Sequence, residues 1–218
     1  MKSTSSNRRK FIMNTATLGG IGAFGLISGS LFSSPLTVQE GIHIIGPKPG
    51  LSPHLGTLVS MMDWMRMVVT RSVENLTKRE LDYVHDPKSN SIGAMLLHLA
   101  ATERIYQEGT MDNPVSFVGS DNIDWDAAMG LGEKGRKQIR GNDLSYYLDI
   151  LAATREWTIR EFKKRDDEWL FKVDPNFFQG KPTNNYCKWF HVCEHESNHN
   201  GQIKWIKGRL PGAKDEND

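Results

Sequence analysis

The sequence predicts an all-α protein built as a four-helix bundle. Three observations lead there. Four long stretches repeat apolar residues at three-and-four spacing, the period of a helix with one buried face. Strand signals are weak, and no internal repeat suggests a solenoid. With 218 residues, 38% hydrophobic and 24% charged, the chain has ordinary globular composition and room for one domain plus appendages.

Residues 1–30 read as an export signal. Asn7-Arg8-Arg9-Lys10-Phe11-Ile12 resembles the twin-arginine motif, with Asn for the leading Ser, Ile for Leu and Met13 for the trailing Lys. The apolar run Leu18–Ile27 follows, then Ser28-Gly29-Ser30 as a small-x-small cleavage signal. At roughly ten residues the run is too short to span a ~30 Å hydrocarbon core, so a removable segment is expected rather than a retained anchor. Nothing later is long and apolar enough to insert stably in a membrane. The expected location is the periplasm, or export otherwise, by the twin-arginine pathway, which carries proteins already folded, commonly with a metal or cofactor in place.

Residues 31–50 hold several Gly and Pro residues without a sustained period and read as an extended lead-in; the bundle is expected over 51–212. The first helix starts at Ser52-Pro53, an N-cap followed by Pro at the first helical position. Leu55, Leu58, Val59, Met62, Met65, Val69, Val73 and Leu76 carry its seam to about residue 77, with Met61, Met62, Met65 and Met67 as core filler. The second helix begins at Ser91 and runs to about Gln107. Between Ile92 and Ala101 only His98 is neither apolar nor Gly, the mark of a helix enclosed by its neighbours. A Gly-, Asp- and Asn-rich connection, 109–142, follows, with a short helix at Ile123–Met129. The third helix runs from an Asp143 N-cap to Lys164, with Tyr147, Ile150, Leu151, Trp157, Ile159 and Phe162 inward. The fourth runs from about Asn185 to Arg209 and stops at Leu210-Pro211-Gly212. Residues 213–218 read as a disordered polar tail.

Net charge excludes some partners. The whole chain carries +1; the first 30 residues hold four basic residues (Lys2, Arg8, Arg9, Lys10) and no acidic ones, leaving 23 Lys+Arg against 26 Asp+Glu. Neither balance makes an electrostatic case for nucleic acid. The two cysteines, Cys187 and Cys193, lie about 9 Å apart along one helix, beyond the ~7 Å reach of a disulfide. Burial as small apolar side chains is expected of them.

Chemistry concentrates on the fourth helix. His191, His195 and His199 stand at i, i+4 and i+8, on a stripe that continues through Gln202, Ile203, Ile206 and Leu210 and so faces the bundle. An i, i+4 pair can place two imidazoles on one metal, but the outer two histidines lie about 12 Å apart along the axis, so three successive turns cannot share one ion. The third ligand must come from another helix, and His98 is the best candidate. Alone, each feature has a plainer reading: His98 as a hydrogen-bonded core histidine, His191 as pocket lining or surface. No role is expected for His43, His54 or His85.

His195-Glu196-Ser197-Asn198-His199 also spells the H-E-x-x-H of zinc proteases. That reading lacks its third ligand. Gln202 and Trp205 stand where the extended motif needs Gly and His, only 19 residues follow His199, and no strand is available to hold a peptide.

Taken together these residues resemble the DinB-like family of metal-binding four-helix bundles. The resemblance runs from Ser91-Ile92-Gly93-Ala94-Met95-Leu96-Leu97-His98-Leu99 to Glu103, resumes in Trp125–Gly132 and around Tyr147, and is strongest from Asn184 to Glu196 and through His199-Asn200-Gly201-Gln202-Ile203. It covers most of residues 52–212. The resemblance implies an up-down-down-up bundle with a long crossover between the second and third helices, and a divalent-cation site of His98, His195 and His199. Some family members are transferases or isomerases in which the metal holds a small thiol. Asn200 departs from the basic residue common before Gly-Gln. Gly201 within a helix costs ~1 kcal/mol against Ala and suggests close packing. Glu103, Glu194 and Glu196 are candidates to orient a histidine N–H, with Gln202 and His191 near the rim.

Two functions are expected. One is an exported metal-dependent transferase or hydrolase that activates a thiol or water with Zn²⁺, Ni²⁺ or a similar ion, since imidazoles suit several metals. The alternative is a non-catalytic metal-binding or interaction protein with a structural ion. The partners expected are a small-molecule substrate or thiol, and a second copy through a helix face.

Overall fold

The structure, a computed structural model, describes residues 41–112 and 122–213, all within the unit Thr37–Asp218. The export segment 1–30, residues 31–40 of the lead-in and the tail 214–218 lie outside the described residues. Four long helices make the bundle: α1 (Pro53–Val73), α3 (Ile92–Thr110), α6 (Leu144–Phe162) and α8 (Asn185–Lys207). Four short helices accompany them: α2 (Lys78–Leu81), α4 (Trp125–Gly130), α5 (Gly132–Gln138) and α7 (Asp167–Phe171). A two-residue antiparallel pair, β1 (Val173–Asp174) with β2 (Thr183–Asn184), leads into α8. No helix among the described residues is long and apolar enough to cross a membrane.

Side-chain pairs give the directions. Between α1 and α8, His54 meets Tyr186 and Arg66 meets Glu196, so the two run parallel. Between α3 and α6, Glu103 meets Arg155 and Gln107 meets Thr158, again parallel. Between α3 and α8, His98 meets His195 while Tyr106 meets His191, which is antiparallel. The bundle is therefore up-down-down-up, as the sequence resemblance implied. Gly93 on α3 permits the close α3–α6 approach, since a Cβ there would lie 2.7 Å from the Tyr147 hydroxyl.

The ends of the elements differ from the sequence expectation where tertiary contacts or turn chemistry intervene. Helix α1 stops at Val73, and Asn75 takes a left-handed conformation (φ 64°), which Asn tolerates because its side chain bonds locally. A capping box between Thr77 and Glu80 then starts α2. Ser52 does not cap α1 with its own side chain. Asp167, from the first turn of α7, accepts hydrogen bonds from the Ser52 hydroxyl (2.6 Å) and from the His54 and Leu55 amides (3.1 and 3.2 Å). The expected helix at Ile123–Met129 is shifted to Trp125–Gly130, behind an Asp124 cap. Of the four methionines expected in the core, only Met62 is fully buried; Met61, Met65 and Met67 are half-buried.

The core has two apolar halves. One holds Val69, Val73, the Ile92–Ala101 face, Tyr147, Ile150, Leu151, Ile203 and Ile206. The other holds Leu55, Leu58, Met62, Tyr106, Trp157, Phe162 and Trp189. Between them lies a charged layer with one residue from each long helix: Arg66, Glu103, Arg155 and Glu196.

Candidate metal centre

Helix α3 turns His98 toward α8, where His195 and His199 stand one turn apart. His98 and His195 approach Nε2 to Nε2 at 2.9 Å, and one ring nitrogen from each of the three histidines lies within 4.8 Å of the others. His98 and His199 are buried at 6% and 7% exposure, and His195 is half-buried. Each ring's other nitrogen has its own surroundings. His98 Nδ1 donates to the Ala128 carbonyl (3.0 Å) and His199 Nδ1 to Gln202 Oε1 (3.2 Å), an assignment the acceptors dictate. Both rings therefore carry their hydrogen on Nδ1 and turn an Nε2 lone pair toward the centre.

The imidazoles are kept neutral. Burial, then the neighbouring histidines, push His195 down to about 3. Burial, then His98, push His199 down to about 4 against the Gln202 bond, and burial lowers His98 as well. A cluster of three neutral imidazoles sharing one small space suits a divalent cation, because bonds of about 2.0–2.1 Å place donor nitrogens on the order of 3 Å apart. The donor set thus fits a metal.

The acidic candidates lie elsewhere. Glu103 and Glu196 do not orient a histidine. Glu103 accepts from Arg155 Nε (2.9 Å), Arg66 Nη2 (3.0 Å) and the Thr158 hydroxyl (2.6 Å), and Glu196 Oε1 accepts from Arg66 Nη2 (2.7 Å) and Arg155 Nη2 (2.9 Å). Two arginines nearby are a stronger attraction for a buried carboxylate than a neutral imidazole N–H. Glu103 is buried, which opposes ionisation, but Arg155 and Arg66 prevail and hold it below the usual range. Glu194 is exposed, with an oxygen 3.8 Å from His191 Nε2.

Two further expectations are corrected. Gly201 is exposed and a Cβ there would meet nothing within 4 Å, so close packing does not explain it. Cys193 is buried, but Cys187 is exposed; both are free, as their spacing predicts. Sequence reasoning missed the Ala128 carbonyl, which has no side chain to read, and Tyr106, whose hydroxyl pairs with His191 Nδ1 at 2.8 Å. Tyr106 lies two helical steps of four beyond His98, so a stripe drawn along α3 would have reached it.

With this geometry in hand, comparison with known proteins identifies the kind of bundle. A family model described as mycothiol-S-transferase matches residues 57–212. It agrees with the DinB-like resemblance. Among solved structures, the crystal structure of a conserved protein from Enterococcus faecalis is 16% identical, with 71% of this chain and 95% of that chain covered at a TM-score of 0.53. At that identity the likeness shows the fold. No curated protein gives a significant match.

Proposed function

We propose, from the premise that the chain belongs to the mycothiol-S-transferase family, that it is an exported metal-dependent transferase acting on a small thiol. The observation that carries this reading is the convergence of His98, His195 and His199, with two Nε2 atoms 2.9 Å apart in a buried space. When bound, a divalent cation such as Zn²⁺ or Ni²⁺ supplies a Lewis acid with open positions that lowers the pKa of a thiol or water.

The chain's own groups do the rest. Ala128 and Gln202 fix the tautomers of His98 and His199, so that their Nε2 lone pairs need no rearrangement. His195 would hold the ion with the Nε2 that faces His98, its ring hydrogen moving from Nε2 to Nδ1 by exchange with solvent. The buried cysteine is not the sulfur nucleophile. Burial pushes the Cys193 thiol up to about 11, so it stays protonated, and it packs in an apolar cluster. The sulfur is assigned to the small substrate on the support of the family's name. An S–C bond forms between that sulfur and an electrophilic carbon, the carbon's leaving group departs with its bonding pair, and the thiol's proton passes to solvent. The near-neutral charge supports a small molecule rather than nucleic acid as partner. Asn7–Ile12 supports export in a folded state, with the ion taken up on either side of the membrane.

The test is elemental analysis of the purified protein beside His98→Ala, followed by conjugation of a small thiol to monochlorobimane with and without chelator. Stoichiometric metal in the native chain, its loss in His98→Ala and chelator-sensitive conjugation are expected. Equal metal in the two chains would remove the centre; conjugation indifferent to chelator would remove the reaction.

A further inference from the structure

On α8 the ligand stripe does not begin at His195. Cys187, His191, His195 and His199 recur at every fourth residue, each step drifting about 40° around the axis. The drift carries the stripe from solvent into the bundle. Cys187 is exposed, the His191 side chain is 37% exposed, His195 is half-buried and His199 is buried. The rings follow one another closely, with centroids 5.2 Å apart from His191 to His195 and 4.5 Å from His195 to His199.

His191 is also built like a ligand. Its Nδ1 is held by the hydroxyl of Tyr106, itself 5% exposed, just as Ala128 and Gln202 hold Nδ1 of His98 and His199. Its Nε2 is thereby turned toward the exposed Glu194 carboxylate, 3.8 Å away. A histidine serving only as packing would need neither a fixed ring nor an outward nitrogen beside a negative charge.

We propose that His191, with Glu194, is an outer docking point where a divalent cation first binds and from which it passes to His195 and the inner centre. This inference rests on the reading of His98, His195 and His199 as a metal site. The physical need is plain: a buried site requires an entry path, and a hydrated ion sheds its water most easily one ligand at a time. Glu194 adds a local attraction for the approaching cation. His191 lies too far along the helix to join the three inner ligands on one ion, so its effect belongs to the rate of loading.

The experiment follows Co²⁺ uptake by the chelator-stripped full chain in a stopped-flow absorbance measurement, with release measured by transfer to excess chelator and equilibrium affinity by competition. His191→Leu, which removes the first nitrogen ligand on the route, is expected to slow uptake and release alike severalfold, while affinity is unchanged. Tyr106→Phe and Glu194→Gln, which loosen the ring and remove the charge, should slow uptake less. Since His191 is half-exposed, a matching melting temperature will show that the variant is folded. Unchanged uptake in a folded His191→Leu overturns the docking role, as does weaker affinity with faster release, which would make His191 a contributor to the bound state. If the unaltered chain takes up no Co²⁺, the inner centre falls and the route with it; His98→Ala, which removes only the centre, separates the two failures.

Discussion

Gln202 illustrates how much of the centre rests on single atoms outside the ligands. It is exposed on α8, but its Oε1 accepts from His199 Nδ1, and its amide group donates to Asn198. Gln202→Leu should leave the fold intact and lower metal affinity by about 10–100-fold, the usual effect of losing a partner that orients a ligand; a competition titration will measure it. The same titration at several pH values tests the neutral imidazoles. Ordinary histidines take up protons near pH 6.5 and would then compete with the metal. Here His195 and His199 are pushed down to about 3 and about 4. Affinity should therefore stay level between pH 8 and pH 6, and fall only as pH approaches the lowered values. The sign for stability is the same as for a paired carboxylate, whose folded pKa is also lowered: between pH 6.5 and about 4 the unfolded chain binds the protons first, so the metal-free protein loses stability as pH falls through that window. A tenfold loss of affinity between pH 8 and pH 6 would contradict the neutral-imidazole account. The ligands themselves were legible in the sequence, because helical spacing and an isolated polar residue in an apolar run are local facts. Their anchors were legible only in part: Gln202 stands on the same stripe, but Ala128 contributes a backbone carbonyl, and Glu103 and Glu196 chose arginines that no spacing rule brings near them.

At the level of the helices, the charged layer explains why four amphipathic rods settle in one register. Each long helix sends one charge into the layer between the two apolar half-cores, so a slip of one turn along any rod would place that charge among Leu and Val side chains. The layer also ties α3, which carries His98, to α8, which carries His195 and His199, through Arg66 and Arg155. Glu103→Leu should destabilise the fold by about 3–5 kcal/mol, because it takes from the buried Arg155 and the half-buried Arg66 a carboxylate they share and leaves them Glu196, with Asp63 4.0 Å from Arg155. Adding Arg155→Met should recover much of that loss, since an apolar pair of similar volume costs less than a broken ion pair. Urea unfolding of the two variants will decide; a double variant as weak as or weaker than the single would count against the layer as a paired unit. This layer was invisible in the sequence because Arg66, Glu103, Arg155 and Glu196 lie on four separated segments, and a charge on a helix ordinarily marks its solvent face. Helix α7 was missed for a related reason. Its five residues are too few to show a period, and its place is fixed by Asp167 capping α1 across the fold.

Across the whole molecule, the number of long helices was readable from four long periods, while their up-down-down-up order was what the DinB-like resemblance implied. The metal centre then joins parts of the chain that are distant in sequence: His98 on the second long helix, and His195 and His199 on the last, nearly a hundred residues on. An ion held by all three binds the folded chain and has no comparable site in the unfolded one, so it must stabilise the bundle as a whole by mass action. At free metal a hundredfold above its dissociation constant the gain is about 2.7 kcal/mol. For a domain of this size each kcal/mol moves the melting temperature by roughly 2–4 °C, so chelator should lower the unaltered protein's melting point by about 5–10 °C. His98→Ala removes the cross-connection while leaving the α8 pair in place, and its melting point should be the same with and without chelator. His191→Leu, by contrast, should keep the full chelator shift, since it touches the approach rather than the join. A calorimetric scan of the three chains, each with chelator and with added Zn²⁺, reads all of this at once. A shift that persists in His98→Ala would mean that the stabilising ion sits somewhere other than between α3 and α8.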